Sequence, residues 1–414
     1  MTNDSGTFKG VRSIIDKPAG QRKLLALDGG GMRGLVSIEV LTKIETILRA
    51  RSGRGDAFRL CHYFDYIAGT STGAIIGALL SLGKSCAEIK SLYTGFGAIM
   101  FDKGFIRERL EAEDKKFGPK VGKQLERARL AGHWVANRLD LTDRPYSKYE
   151  DAPVKAELKK QVGENSTLGT DTLQTLLLMV LCDPQTDRPW AVSNNPRRKF
   201  NDPAHPLTNV GIPLWQLVRA STAAPTVYPP QEIIIGGQPQ LFVDGGITAW
   251  NNPAFQLFLQ ATLEPYGLGW PTGRDKMLLV SVGTGLKKRR QPTTSDRYNV
   301  ETIMDMTLHN LISAANMQQD LSCRSLGHCI AGDAIDGELG TLIGSRGAGD
   351  PLFTYARYNT YLTREALDEL GLPGVDVEDV EMLDSVAHAA ELTKIGEQVA
   401  ARKVDASHFA AFPA

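Results

Sequence analysis

Several features are missing from this chain of 414 residues, and each absence excludes a class of protein. No apolar run is long enough to cross a bilayer as a helix, which argues against an integral membrane protein. The 47 Lys and Arg residues balance 47 Asp and Glu residues, so no bulk attraction to nucleic acid or to an anionic membrane is implied. We therefore expect no nucleic acid polymer among its partners.

Secretion and disulfide signals are also missing. The first ten residues, MTNDSGTFKG, are polar and lack the basic-then-apolar pattern of a secretion signal. The five cysteines are odd in number and show no C-x-x-C spacing. These observations favour a reducing cytoplasm, and we expect a cytoplasmic protein with mostly buried thiols. Cys323 and Cys329 could form a metal or redox pair, although two isolated core thiols are the simpler interpretation.

No long linker or internal repeat divides the chain, which predicts one domain over residues 1–414. We expect a core at about 22–290 and a helical C-terminal extension at 299–414. Residues 97–146 are rich in Lys, Arg and Glu, which indicates a charged helical insertion, either a lid or a solvated hairpin. Within the extension, helices are predicted at Ser313–Leu326 and Glu378–Lys403, with a strand at Phe353–Leu362.

Short apolar strands alternate with amphipathic or buried helices in the first part of the chain. The order is KLLALD, a helix that Gly53 stops, YFDYIAG, and the apolar helix TGAIIGALLSL. This β-α-β-α order predicts a parallel sheet with helices on its faces. Later, LQTLLLMVLCD and PWAVSN predict a hairpin, while QLFVDGG and MLLVSVGTG predict strands that end in glycine, where such sheets bind ligands.

The first strand runs into a glycine-rich turn, LDGGGMRG at 27–34. The spacing also fits a dinucleotide-binding fingerprint, which requires an acidic residue at the end of the next strand. That strand ends instead in GTSTG at 69–73, which disfavours the dinucleotide interpretation. A tight turn without a ligand does not explain three consecutive glycines, each of which costs backbone entropy.

The GTSTG motif places Ser71 at a strand-to-helix turn, the G-x-S-x-G geometry of a serine nucleophile. A serine nucleophile needs a base, normally a histidine. None of the seven histidines ends a predicted core strand, and His309 and His328 lie on predicted helical segments. Asp244 follows QLFV at the predicted sheet edge of Ser71 and could take its proton directly. An ordinary Asp-Gly turn is the alternative interpretation of Asp244, and a conventional Ser-His-Asp triad is the alternative mechanism.

Together, DGGGMRG, GTSTG and DGG resemble the patatin-like phospholipases, and STAAPTVYPP at 221–230 resembles a further segment of that family. The resemblance implies a three-layer α/β fold with a mostly parallel central sheet flanked by helices. It implies Ser71 as nucleophile and Asp244 as base. It also implies an oxyanion hole from the glycine turn, in which Gly30 and Gly31 are the leading donors and Gly29 and Arg33 share the loop. No metal or cofactor is implied.

The function implied by the resemblance is hydrolysis of membrane phospholipid esters at the membrane surface. The family's bacterial antiphage effectors suggest activation by a cyclic dinucleotide and ligand-driven homo-oligomerisation. Constitutive lipid turnover and a non-catalytic storage or binding homologue remain alternatives. The basic run KKRR at 287–290 is either a contact for lipid phosphates or a solvated loop.

Overall fold

A computed structural model describes residues 8–18, 20–101, 147, 149–287 and 300–414, with the backbone alone for Phe96 and for 300–309. A nine-stranded sheet forms its centre, in the order β5-β6-β3-β2-β1-β7-β10-β9, and β4 pairs with β3. The strands are β1 Arg22–Leu27, β2 Tyr66–Thr70, β3 Leu176–Asp183, β4 Arg188–Ser193, β5 Gln231–Ile235, β6 Gln238–Asp244, β7 Met277–Val282, β9 His328–Ala331 and β10 Thr354–Tyr358. Two short strands, β8 Leu286–Lys287 and β11 Tyr361–Leu362, form a separate pair.

The sheet is mostly parallel, as predicted. Strands β3, β2, β1, β7, β10 and β9 run parallel, whereas β4 and β6 are antiparallel to β3. The predicted β3–β4 hairpin is confirmed. Two strands of this sheet, β9 and β10, come from the 299–414 segment that was predicted as a helical extension; β10 lies within the strand predicted at Phe353–Leu362, whereas β9 was not predicted.

Eleven α-helices are found in the described part of the chain: α1 Lys9–Ile15, α2 Gly34–Ser52, α3 Thr72–Ser81, α4 Cys86–Met100, α5 Ala152–Val162, α6 Leu214–Ser221, α7 Ala254–Thr262, α8 Val300–Leu326, α9 Arg364–Glu369, α10 Val377–Glu381 and α11 Ala389–Lys403. The strands alternate their side chains between the two faces, as Leu25 and Leu27 of β1 show on one face and Leu24 and Ala26 on the other. Helices α2, α3 and α11 cover the first face, while α1 and α7 cover the second. These three layers confirm the predicted α/β architecture.

One predicted helix is interrupted. Residues 378–403 form α10 and α11 with a break at 382–388, which contains a short 3-10 helix, Val386–His388. Met382 has extended backbone angles, and the Leu383 carbonyl accepts a hydrogen bond from the Met32 N–H at 2.8 Å. This tertiary contact replaces a hydrogen bond within a helix. The apolar periodicity of residues 378–403 did not predict the break.

The insertion predicted at 97–146 lies outside the described residues from residue 102 onward. Among the described helices, none is both long and apolar enough to cross a membrane. All five cysteines are buried free thiols, which agrees with the core-thiol interpretation of Cys323 and Cys329.

Candidate active site

Ser71 occupies a strained turn between β2 and α3. Its backbone angles, φ 54° and ψ −122°, fall in a region that residues with a Cβ rarely adopt, at a cost of about 1–3 kcal/mol. The Ser71 N–H donates to Ser221 Oγ at 2.9 Å, and Ser221 Oγ donates to the Val180 carbonyl at 2.7 Å. A Cβ on Gly73 would overlap the Leu27 carbonyl oxygen, so the glycine lets α3 start directly against β1.

The Ser71 hydroxyl donates a hydrogen bond of 2.6 Å to Asp244 Oδ2. The other carboxylate oxygen, Oδ1, accepts the Gly246 N–H at 2.7 Å. Burial raises the pKa of Asp244 to about 6, while the Ser71 hydroxyl, the Gly246 N–H and the charge of Arg219 act in the opposite direction. At neutral pH Asp244 is therefore a carboxylate with raised basicity, in contact with a hydroxyl whose proton it can accept.

The pairing of β3 explains why these two residues meet. Val180 pairs with Thr70 of β2, and the next residue, Leu181, pairs with Asp244 of β6. Strand β4 occupies the opposite side of both β3 residues, so β2 and β6 lie along the same side of β3. Strand β2 ends at Thr70, opposite Val180. Strand β6 approaches from the opposite direction and ends at Asp244, opposite Leu181. The predicted edge is confirmed, but Asp244 reaches it on an antiparallel strand.

The glycine turn lies beside Ser71, since a Cβ on Gly29 would be 3.1 Å from the Ser71 Cβ. The Gly29 N–H donates to the Asn251 carbonyl at 3.2 Å, and the Arg33 N–H donates to the Gly30 carbonyl at 3.2 Å. Both of these predicted oxyanion donors are therefore occupied within the protein.

Gly30 and Gly31 differ from their neighbours in the turn. Their N–H groups have no acceptor among the residues that the structure describes. These two glycines are the donors that the sequence ranked first, and they are available to bind an oxygen atom of a ligand.

A buried ion pair anchors the start of the turn. Arg357 of β10 donates to both oxygens of Asp28, from Nη1 to Oδ1 at 2.8 Å and from Nη2 to Oδ2 at 2.5 Å. Arg357 Nη1 also donates to Ser281 Oγ at 2.7 Å. Burial raises the pKa of Asp28, and Arg357 opposes this rise. Sequence reasoning missed the pair because nothing local links residue 28 to residue 357.

The break between α10 and α11 contacts the glycine turn, and sequence reasoning did not predict this break either. Besides the Leu383 contact, Glu381 Oε1 lies 2.7 Å from Lys287 Nζ, and Tyr149 Oη donates to Asp384 Oδ2 at 2.6 Å. Lys287 of the KKRR run thus pairs with an acidic side chain, and residues 288–290 lie outside the described residues.

No histidine side chain that the structure describes contacts Ser71 or Asp244. His328 begins β9 rather than lying on a helix, and His408 Nδ1 is 2.8 Å from Tyr358 Oη. The side chains of His133 and His309 lie outside the described residues. Within the described ranges, no group of three or more His, Cys, Asp or Glu side chains could hold a metal ion.

The patatin-like phospholipase family model matches residues 25–258, which contain the turn, Ser71 and Asp244. The chain belongs to the patatin-like phospholipase family. Among patatin-like relatives, the chain is 28% identical over 265 residues to a cGAMP-activated phospholipase of Vibrio cholerae, covering 64% of each protein. It is also 28% identical over 245 residues to a cGAMP-activated phospholipase of Escherichia coli, covering 59% of this chain and 56% of that protein.

A third patatin-like relative is named "Probable inactive patatin-like protein 9" from Arabidopsis thaliana, 25% identical over 266 residues and covering 64% of this chain and 60% of that protein. The chain thus spans about six tenths of the length of these curated relatives. Because one relative is named probably inactive, activity in this family depends on the residues and geometry of the site and not on membership alone.

Proposed function

We propose that the protein is a serine-dependent lipid acyl hydrolase that cleaves phospholipid esters with Ser71 and Asp244. The observation that carries this proposal is the 2.6 Å hydrogen bond from Ser71 Oγ to Asp244 Oδ2. It occurs at a strained strand-to-helix turn, the geometry that exposes a nucleophile. The family match at 25–258 supports an acyl-hydrolase chemistry for this pair.

In the first half-reaction, Ser71 Oγ attacks the ester carbonyl carbon while its proton passes to Asp244. The N–H groups of Gly30 and Gly31 stabilise the oxyanion, an effect of about 3–4 kcal/mol when one such donor is removed. Collapse breaks the ester C–O bond, and the leaving alcohol takes the proton back from Asp244. The acyl group remains on Ser71 Oγ.

In the second half-reaction, water attacks the acyl carbon and gives a proton to Asp244. The second collapse releases the fatty acid, and the proton returns to Ser71 Oγ. No metal enters this scheme. Dialysis against EDTA should therefore leave hydrolysis of a short-chain ester unchanged, and a loss that one divalent ion restores would contradict it.

The substrate and its control are also part of the proposal. The two relatives named cGAMP-activated phospholipases support membrane phospholipid as substrate and a cyclic dinucleotide as activator. Such an activator has to bind the active state more tightly than the inactive one, because equal affinity shifts no equilibrium. An unregulated phospholipase would also damage the membrane of the cell that makes it.

The test is release of fatty acid from phospholipid vesicles, with and without a panel of cyclic di- and trinucleotides. S71A and D244N should abolish release under every condition. Two controls change the same residue types away from the site: S322A on α8, and D187N in the β3–β4 turn at φ 55°. Both should match wild type. Retained release by folded S71A would overturn the proposal, and equal activity with and without every nucleotide would remove the activator.

A further inference from the structure

A short loop follows β7 and packs against the glycine turn. It consists of Gly283–Gly285 in the VGTG sequence. The Thr284 hydroxyl donates to the Gly29 carbonyl at 2.9 Å, and the Thr284 side chain is buried. A Cβ on Gly30 would overlap the Thr284 side chain, so the two residues are in direct contact. Neither half-reaction described above involves this threonine.

Peptide geometry turns this hydrogen bond into control of an N–H direction. The Gly29 carbonyl and the Gly30 N–H belong to one planar trans peptide, and they point in opposite directions. A hydroxyl that holds the carbonyl therefore fixes the direction of the N–H. Without it, the peptide can rotate and the Gly30 donor loses its alignment.

Arg33 acts in the same way on the next peptide. Its backbone N–H and its Nε donate to the Gly30 carbonyl at 3.2 and 3.3 Å, and the Gly31 N–H is on the opposite side of that peptide. Arg33 Nη1 donates to the Gly285 carbonyl at 3.2 Å. Thus Thr284 of the loop holds the first of these two peptides, and Arg33, which itself donates to the loop, holds the second.

The loop is itself fixed from two sides. Asn359, directly after β10, accepts the Gly285 N–H at 2.9 Å through Oδ1. Ser37 of α2 donates to the Gly283 carbonyl at 2.8 Å. Thr284 is therefore held by the sheet and by a helix, rather than by a free loop, and can orient its partner accurately.

We infer that Thr284 is a positioning residue of the oxyanion hole, which aligns the Gly30 N–H by holding the Gly29 carbonyl. The inference rests on the proposed function, because an oxyanion forms only if Ser71 attacks an ester. Thr284 itself touches neither Ser71 nor the substrate in this scheme. It acts through the peptide between Gly29 and Gly30.

The test compares T284V, which keeps the shape but loses the donor, with T284S, which keeps the hydroxyl. T354V is the matched control, because the buried Thr354 hydroxyl donates to the Arg274 carbonyl at 2.8 Å at the start of β10. On a short-chain ester, T284V should lower kcat about ten- to a hundredfold with little change in KM. This loss is smaller than the roughly 10²–10³-fold loss in kcat expected when an oxyanion donor is removed altogether. T284S and T354V should stay within about threefold of wild type.

The rate of phosphonylation by a fluorophosphonate should fall in T284V by a similar factor, because the phosphoryl oxygen uses the same donors. The apparent pKa of kcat/KM should not move, since Asp244 is untouched. If T284V does not fold, T284C replaces it, and T284C is then expected to have a lower kcat and a slower phosphonylation rate than T284S. T284V as active as T354V would overturn the inference, whereas hydrolysis by S71A would overturn the proposed function itself.

Discussion

Ser71 Oγ and Asp244 Oδ2 lie 2.6 Å apart although 173 positions separate the two residues in the chain. Strands β2 and β6 bring them together by running toward each other along one side of β3. In the proposed function this contact supplies both the nucleophile and the base, and no described histidine contacts either side chain. The proposed chemistry follows from this one relationship.

The backbone strain at Ser71 predicts a difference between two inactive variants. Both S71A and S71G remove the nucleophile, but only glycine relieves the Cβ strain at φ 54°. Glycine has the larger entropy in the unfolded chain, which offsets part of this relief. The unfolding free energy of S71G should still exceed that of S71A by about 1 kcal/mol. Urea unfolding of both proteins measures this difference. S71A more stable than S71G by about 0.4–1 kcal/mol, the entropy cost of glycine alone, would show that the turn stores no strain.

The pH dependence of hydrolysis should report Asp244. Its pKa is raised to about 6, and the base has to be unprotonated to accept the Ser71 proton. We expect kcat/KM on a short-chain ester to be constant above about pH 7 and to fall tenfold per pH unit below about 6. A stopped-flow or plate assay from pH 4.5 to 9 gives the profile. A profile that stays flat down to pH 5 would contradict a base whose pKa is raised to about 6.

The same raised pKa predicts that D244N stabilises the protein at neutral pH. The folded state binds the Asp244 proton more tightly than the unfolded chain, so this carboxyl costs stability as the pH rises from about 4 to about 6. A rise from 3.8 to about 6 corresponds to about 3 kcal/mol at most. We expect D244N to exceed wild type in unfolding free energy at pH 8 and to lose that advantage near pH 4. An advantage independent of pH would contradict this linkage.

The buried pair of Arg357 and Asp28 should be essential to stability. R357M leaves a buried carboxylate without its partner, which should lower the unfolding free energy by about 3–5 kcal/mol. The double variant R357M/D28N removes that charge and should recover part of the loss. R346A, which breaks an exposed pair with Asp350, should change stability by less than about 1 kcal/mol. Equal stability of R357M and R346A would mean that the pair contributes nothing.

Local patterns predicted the elements around the nucleophile well. The helical spacing after the glycine turn and the stop at Gly53 correspond to α2, which ends in a left-handed Gly53. The spacing Ser85-x-x-Glu88 is typical of a capping box, and the two side chains form a reciprocal capping box at the start of α4. These features depend on residues a few positions apart, so the sequence contains all that determines them.

Such local patterns did not predict the features that depend on contacts between distant parts of the chain. The antiparallel direction of β6, the addition of β9 and β10 to the sheet and the pairing of Arg357 with Asp28 all depend on which distant segments meet. The break at 382–388 was missed for the same reason, because the Leu383 carbonyl bonds to the glycine turn instead of within a helix. The roles of Ser71, Asp244 and the oxyanion donors remain predictions.

The most direct test is to label the protein with a fluorophosphonate and to locate the adduct by peptide mass spectrometry. We expect one adduct, on Ser71, with a labelling rate that falls below about pH 6 and is at least a hundredfold slower in D244N. S71A should not be labelled. An adduct on another serine, or labelling of D244N at the wild-type rate, would contradict the pairing of Ser71 with Asp244.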